Sequence, residues 1–584
     1  MRTLLADTRW AEGRRVSPAG LIALCTFGIL ALELALIRWT SSQVRVFAYF
    51  NNLVLIGAFL GMGLGVALGR RLPGLVHLAL PMLVVVSLPL AFSEELGLVH
   101  LTFPDHTIAL WGGGHLRADL GVFARNIGVF VTLFTAIVAV FVGCGAPLGH
   151  LFARLPVLRA YSADLWGSLL GIVAFAVASW QGAGPGVWLA LGTLPFVWIA
   201  RRKLALGCAF AAVGLALFSV KGAKFSPYNR IDLVQDDYWL ELAVNRDFHQ
   251  YLHNFSAERF ADPQFPAEAK KFLREVRDLY DLPFVVNSRR GTAVVVGAGT
   301  GNDVQAALRN GYQEVTSVDI DPQIIAMGRA LHPERPYAHP GVKTVIDDAR
   351  SFFGKERSTY DLVCFGLLDS HAMSSAMSTL RLDNYVYTEE GIRAAWERVG
   401  PGGHLSLAIS CAPGRWFFER LFWTITKATG REPVARYSPL HGSTVTFLVA
   451  RDGVELDAIE LGRRAPTRPV TPMDEVLTPS DDWPFLYIRP GAFPWGYITV
   501  LLFVVVLAAL TVPRAFAMRG GRGSFDGPLF LMGAAFLLIE TRGVTSMSLL
   551  FGSTWVVNAV IFGGILVMVL VGNCLLYTSP SPRD

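Results

Sequence analysis

Val294-Val295-Val296-Gly297-Ala298-Gly299-Thr300-Gly301-Asn302-Asp303 decides how the middle of this chain folds. Three β-branched residues in a row read as a short buried strand. The glycines behind them predict a tight strand-to-helix turn, followed by a helix over Val304 to Arg309. Glycine is needed in such a turn because backbone N–H groups must come close to a ligand. A second strand over Val315–Val318 ends in Asp319-Ile320-Asp321-Pro322. An acid at that tip, about 20 residues beyond the glycine turn, can accept both hydroxyls of a ribose. Ile320 beside it can cover one face of an adenine.

The register continues downstream. Val342–Ile346 predicts a third strand closed by Asp347-Asp348-Ala349-Arg350, where an acid can accept a hydrogen bond from the adenine amino group. Tyr360–Phe365 predicts a fourth strand that delivers Leu367-Leu368-Asp369-Ser370-His371 to its carboxyl edge, where ligands of open α/β sheets bind. Pro401-Gly402-Gly403 turns the chain into a fifth strand, Leu405–Ile409. With an acid after each of strands two to four, the order resembles class I S-adenosylmethionine-dependent transferases. NAD-binding folds share the first turn but leave the third acid unexplained. The expected fold is thus a Rossmann-like α/β domain over 291–450, with Gly297, Ala298, Gly299, Gly301, Asp319, Ile320, Asp348 and Ala349 binding the donor.

Val318-Asp319-Ile320-Asp321-Pro322, Asp348-Ala349 and Tyr360-Asp361 resemble spermidine synthases more narrowly. So does the segment 226–290 ahead of the glycine turn. Ser226–Ile231 followed by Trp239–Gln250 alternates like the β-hairpin those enzymes carry before the nucleotide fold. The resemblance implies that a glutamine of this region contacts the nucleoside. Gln250 matches it, with His249 as the fallback. It also implies an S-adenosylmethionine or decarboxylated S-adenosylmethionine donor, a small-molecule amine acceptor and no metal. A sulfonium leaving group is already activated, so alignment does most of the work. One departure matters. Spermidine synthases place Asp-Ser-Ser-Asp-Pro after the fourth strand, whereas this chain has Gly366-Leu367-Leu368-Asp369-Ser370-His371. Asp369 is the expected catalytic or substrate-orienting residue, and His371 is a second candidate base. Aminopropyl transfer needs carboxylates to hold a cationic amine and a base to deprotonate it. Methyl transfer to a membrane-associated acceptor needs less, so both stay open, as does a transporter or sensor that only binds a nucleoside. Arg381–Thr388 reads either as a lid that brings Tyr385 and Tyr387 to the substrate, or as a plain approach to a helix capped by Thr388.

Outside this domain the chain changes character. Only 17% of all residues are charged, against about 25% in ordinary soluble domains, and the apolar runs fill the two ends. On a ruler of about 20 residues per crossing, the sequence predicts an α-helical transmembrane bundle. Seven helices are expected within 1–222, near 18–38, 46–69, 74–92, 122–147, 165–181, 185–200 and 204–220. Three more are expected within 493–573, near 493–513, 527–543 and 553–573. The first apolar run reads as a retained helix rather than a cleaved signal. Asp164 is expected to cap the helix starting at Leu165, and 451–490, with Asp481-Asp482-Trp483-Pro484, to strap domain to membrane. This arrangement is similar to multi-helix membrane proteins that carry a spermidine synthase-like domain. Tyr161–Ser168 and Phe551–Thr554 resemble motifs of that subgroup.

Glu33, Ser41, Asn51 and Gly57 recur as Glu540, Ser548, Asn558 and Gly564, all at an offset of 507 residues. One two-helix unit therefore occurs twice, once on each side of the soluble domain. Glu33 and Glu540 are intramembrane acids, functional candidates by type. Arg9, Arg14 and Arg15 ahead of the first helix place the N-terminus in the cytosol, and seven crossings then put the domain outside. Adenosyl donors are made in the cytosol, which argues for a miscounted helix and a cytoplasmic domain in a bacterial-type inner membrane. The net charge of +5 gives no case for nucleic acid. Six scattered cysteines give none for zinc or a disulfide framework. Self-association is left open. Cys574–Asp584 resembles a reading frame of a sequencing adapter and is expected to be foreign, with the natural chain running on beyond 573.

Overall fold

The structure, a computed structural model, describes residues 7–10, 16–49, 52–99, 101, 120–236, 238–368, 383–451, 455–456, 467–491, 495–519 and 526–578. Apolar helices come first: α1 (Pro18–Gln43), α2 (Asn52–Gly69), α3 (Val76–Ala91), α4 (Leu120–Leu151), α5 (Val157–Trp180), α6 (Pro185–Ala200) and α7 (Lys203–Val220). Among the described residues nine helices are long and apolar enough to cross a membrane, counting three at the other end of the chain, and α6 is a shorter tenth. Small residues let these helices approach closely, the usual means of packing where lipid removes the hydrophobic drive. A Cβ on Gly61 of α2 would lie 2.8 Å from the Phe141 Cβ of α4. The helix expected to start at Leu165 starts at Val157 instead. Asp164 is thus two turns inside α5 rather than its cap, and its carbonyl accepts the Thr26 hydroxyl of α1 at 3.1 Å.

The bundle has two unlike ends. At one, Asp7 accepts from Arg202 at 2.8 Å and lies 3.5 Å from His77, while Trp10 packs edge-on against His150. At the other, Lys221 bridges Glu94 and Glu95, and Arg246 reaches Glu94 at 3.1 Å. The α/β domain sits at this second end. Arg45, just beyond α1, ion-pairs with Asp247, and Arg38 donates to the Ser226 carbonyl at 2.8 Å. Arg230 donates to the carbonyls of Ser219 and Val220, the last residues of α7.

The segment expected to be a hairpin is larger. It forms a four-stranded antiparallel sheet, β1 (Lys224–Phe225), β2 (Arg230–Gln235), β3 (Leu240–Val244) and β4 (Asp247–Leu252), followed by the amphipathic helix α8 (Ala267–Val285). The nucleotide fold then alternates as its sequence predicts: β5 (Thr292–Val296), α9 (Asn302–Arg309), β6 (Glu314–Asp319), α10 (Pro322–Leu331), β7 (Val342–Ile346), α11 (Ala349–Lys355), β8 (Tyr360–Phe365), α12 (Glu389–Trp396) and β9 (Val399–Ser410). The fifth strand is longer than expected. Pro401-Gly402-Gly403 lies within it, where its pairing with β8 slips register. Three strands were not foreseen: β10 (Val434–Tyr437) and β11 (Thr444–Ala450), which follow the helix α13 (Arg415–Thr429), and the short β12 (Arg468–Pro469).

Together they form one eight-stranded sheet in the order β12-β10-β11-β9-β8-β5-β6-β7, parallel from β9 to β7 and antiparallel beyond. Val294, Val296, Val363, Phe365 and Leu407 bury one face against α12 and α13. Val295, Leu362 and Cys364 bury the other beside α8 and α9. Helices α14 (Trp495–Arg519), α15 (Gly527–Phe551) and α16 (Trp555–Thr578) are the last described elements.

Candidate functional site

A cavity of about 460 Å³ opens at the carboxyl ends of β5, β6, β7 and β8, with β4 and the turn at His441-Gly442 on its far wall. The topology accounts for the position. The strand order reverses between β5 and β8, so the crossovers leave a crevice at that edge. Gly297 and Gly299 line it. Gly299 has φ +54°, and a Cβ there would lie 2.7 Å from the Gln250 side-chain nitrogen, so only glycine allows the turn and β4 to close on each other.

The acids converge as the spacing predicts. Asp319, Ile320, Asp348 and Ala349 all line the cavity. Asp319 accepts from the Gly299 N–H at 2.8 Å and the Asp321 N–H at 2.9 Å, which ties the tip of β6 to the glycine turn. Burial nonetheless raises its carboxyl to about 6, against the pull of those N–H donors. Asp321 is the N-cap of α10. It accepts the Gln323 N–H at 2.9 Å, the Ser226 hydroxyl at 2.6 Å and the Asn229 amide at 3.2 Å. Asp348 caps α11 by accepting the Ser351 N–H at 3.1 Å, and burial raises its carboxyl as well.

The opposite wall is aromatic and amide-bearing: His249, Gln250, Tyr251, Phe272, Tyr280 and His441. Gln250 Nε2 and His249 Nδ1 are buried without a hydrogen-bond partner among the described protein atoms. An orphan donor costs about 1–3 kcal/mol, and a polar ligand in the cavity would offset that. Burial lowers both His249 and His441 to about 4, so both rings are neutral near pH 7.

Not every expected residue reaches the cavity. Ala298 is buried beneath the turn, where its N–H donates to the Val318 carbonyl at 3.1 Å. Gly301, at φ +109°, packs its Cα side against Pro336 and Tyr337 and starts α9. Both shape the turn without lining the cavity. Tyr385 and Tyr387, expected at the substrate, do not line it either. Tyr387 is wholly buried in the core beneath α12 and α13, and Tyr385 is also buried. Their neighbours Asp383 and Val386 line the cavity instead. The physical reason is a cap and a strap. Thr388 accepts the Gly391 N–H at 3.1 Å and donates to Asp481 at 2.8 Å, Arg350 donates to Asp481 at 2.6 Å, and the Tyr487 hydroxyl donates to Asp383 at 2.6 Å. These bonds hold 383–388 against the domain with the tyrosines turned inward. Asp369 and His371 lie outside the described residues, as do Arg381 and Leu382.

One acid was missed. Asp303, in the first turn of α9, lines the cavity beside Tyr280, and burial raises its carboxyl to about 7. Its signal was present in the glycine turn itself, as the first charged residue after Gly301.

No protein-family model matches the chain. It is 24% identical over 495 residues to a polyamine aminopropyltransferase of Corynebacterium efficiens, a match that covers 74% of this chain and 85% of that protein. It is 27% identical over 182 residues to a polyamine aminopropyltransferase of Korarchaeum cryptofilum, of which it spans 53%. Among solved structures it is similar to a spermidine synthase in complex with the transition-state analogue AdoDATO. That match has 12% identity and a TM-score of 0.33, and covers 46% of this chain and 84% of that one. The chain carries a polyamine aminopropyltransferase-like domain, with apolar helices that suggest membrane segments.

Proposed function

We propose that this spermidine synthase-like domain is a membrane-bound transferase that moves an aminopropyl group from decarboxylated S-adenosylmethionine to an amine. The observation that carries the reading is the convergence of the glycine turn, Asp319 and Asp348 on one cavity that also holds the orphan amide of Gln250. Asp319 would accept the ribose hydroxyls and Asp348 the adenine amino group, with Ile320 against the base. Gln250 would donate to the nucleoside. The donor supplies a carbon bonded to a positively charged sulfur, so a neutral amine can attack that carbon while the C–S bond breaks and a thioether leaves. The amine arrives protonated, and a carboxylate must take its proton. Asp369 directly follows Leu368, which lines the cavity, and is the residue proposed for that task. Asp303 stands on the cavity wall as a further carboxylate able to hold a cationic amine.

The test uses the full chain purified in detergent. Incubated with an amine and decarboxylated donor it should release methylthioadenosine, and Asp369→Asn should lower that turnover at least about tenfold. Release of S-adenosylhomocysteine from the intact donor would instead establish a methyltransferase. Undiminished turnover in Asp369→Asn would remove the residue from catalysis.

A second reading is favoured by the polarity of the bundle. The end remote from the domain carries Arg9 and Arg202 around Asp7, and the helix ends Arg70, Arg71, Arg201 and Lys203 fall on the same side. Basic loops favour the cytoplasm, which would set the domain on the outer face, away from cytosolic donors. There it would bind a nucleoside without turnover, as a sensor or transporter subunit does. A single cysteine at exposed Ser358, in a cysteine-free background, separates the two. Labelling of intact cells by an impermeant maleimide supports the outer location, and labelling only after lysis supports the cytoplasmic enzyme.

A further inference from the structure

The two copies of the repeated hairpin do the same thing at the soluble domain. In the first, α1 runs to the domain, and the turn beyond it places Arg45 on Asp247, at the start of the strand that carries His249 and Gln250 to the cavity. In the second, α15 runs to the domain and ends at Gly552, at the same offset of 507 from Arg45. Gly552 has φ +86°, and a Cβ there would lie 2.5 Å from the Asp348 Cβ and 3.0 Å from the Ser351 Cβ. The backbone N–H of Ser553 faces the Asp348 carboxylate, and that of Trp555 the Tyr228 hydroxyl, near enough to favour the ionised form of each. The turn of a membrane hairpin thus packs directly on the side chain of Asp348, which lines the cavity.

We infer that the turn Gly552-Ser553 is a positioning element of the nucleoside site, fixing Asp348 so that the second membrane hairpin sets the preference for a 6-amino purine. The inference rests on the reading of the cavity as an adenosyl site. Its physical content is simple. Asp348 has two oxygens. One is engaged by the Ser351 N–H at the cap of α11. From the membrane side the Gly552 turn packs on the Asp348 Cβ and Cγ with the Ser553 N–H facing the carboxylate, and this contact holds it at a defined rotation, with its remaining lone pairs turned to the cavity. Without that contact the carboxylate can rotate, and a hydrogen bond to an amino group loses its alignment while ribose and stacking contacts persist.

The test titrates the full detergent-purified chain with methylthioadenosine and with methylthioinosine, which replaces the amino group by an oxygen. The wild type should prefer the adenine ligand by about tenfold or more, the worth of one good hydrogen bond to a charged group. Ser553→Pro removes the N–H and should reduce that preference to about twofold, with methylthioinosine affinity nearly unchanged. Ser553→Ala keeps the N–H and should keep the preference. Should Ser553→Pro not fold, Gly552→Ala, whose methyl collides with Asp348, serves as the second variant and should show the same loss. A preference that survives in the variant, or affinities for both ligands that fall by one common factor, would overturn the inference and leave the turn as a structural contact. A wild type that binds neither ligand would refute the adenosyl reading itself, and the inference with it.

Discussion

The two copies of the membrane hairpin share a pattern and differ in their surroundings. The first copy is enclosed. Of the most apolar window in α1, 67% of residues are buried, and the stripe Gly61, Gly65 and Gly69 of α2 meets the backbone of α4. In the second copy the corresponding share is 6% for both α15 and α16. That hairpin is the more exposed among the described residues; α16 packs along α5, where the Asn573 amide donates to Ser162 at 2.6 Å and to the Leu158 carbonyl, and the turn at Gly552 lies on Asp348. Among the described residues one sequence pattern is thus enclosed in its first copy and exposed in its second. Added bulk therefore has room at Gly564 of the second copy and none at Gly61 of the first.

The largest expected effect tests that contrast directly. Gly61→Leu places a side chain into α4, where a Cβ alone already meets Phe141 and the Val138 carbonyl. Overpacking of this kind costs about 1–3 kcal/mol and more when backbone must shift. The variant should unfold at a clearly lower temperature in detergent or fail to yield monodisperse protein. Gly564→Leu, in the second copy, meets nothing within 4 Å and should leave the melting midpoint where it was. Equal losses in both would erase the distinction between the enclosed and the exposed copy.

A smaller effect is expected at the domain contacts. Arg38 donates to the buried Ser226 carbonyl and lies 4.4 Å above the Trp188 ring. Arg38→Met leaves that carbonyl without its donor, at about 1–3 kcal/mol. Its counterpart at the same offset is Thr545, whose hydroxyl donates only to the Arg542 carbonyl within its own helix. Thr545→Ala should change the midpoint little. Differential scanning fluorimetry of the pair measures the asymmetry.

The smallest effect concerns pH at the two cavity ends that the hairpins touch. Asp319, next to Asp321 and so on the side of the first hairpin, has a carboxyl raised to about 6 by burial. An acid raised in the folded state is protonated below that value, so its capacity to accept two ribose hydroxyls is complete above about 6 and is lost as pH falls through it. Nucleoside affinity measured by calorimetry should therefore weaken by up to about tenfold per pH unit below 6. Asp319→Asn should bind more weakly at pH 7.5 and lose most of this dependence. A wild-type affinity that stays flat from pH 7.5 to 5 would mean that Asp319 does not accept from the ligand as a carboxylate.

How much of this was legible depended on distance along the chain. The strand–glycine–helix turn and the acids at 319 and 348 could be read because strand tips and their spacing are local properties. Each residue's place follows from a few neighbours, and the sheet then brings the tips together. The inward burial of Tyr385 and Tyr387 could not be read, because Asp481 and Tyr487 hold that segment from about a hundred residues away. Asp303 was in plain view, but a charged residue in the first turn of a helix ordinarily serves the helix dipole. Its place on the cavity wall depends on α8 and Tyr280 packing across it. The contact of Gly552 with Asp348 lies further still from any local rule, since the repeat predicts a second hairpin but not where its turn lands.

The central claim is that one cavity holds an adenosine-shaped ligand between Asp319 and Asp348. Calorimetric titration of the full chain with methylthioadenosine at pH 7.5 tests it most directly. The account predicts saturable binding of one ligand per chain, weakened at least about tenfold in Asp319→Asn and in Asp348→Asn. Heat that never saturates, or an affinity indifferent to both substitutions, would contradict it.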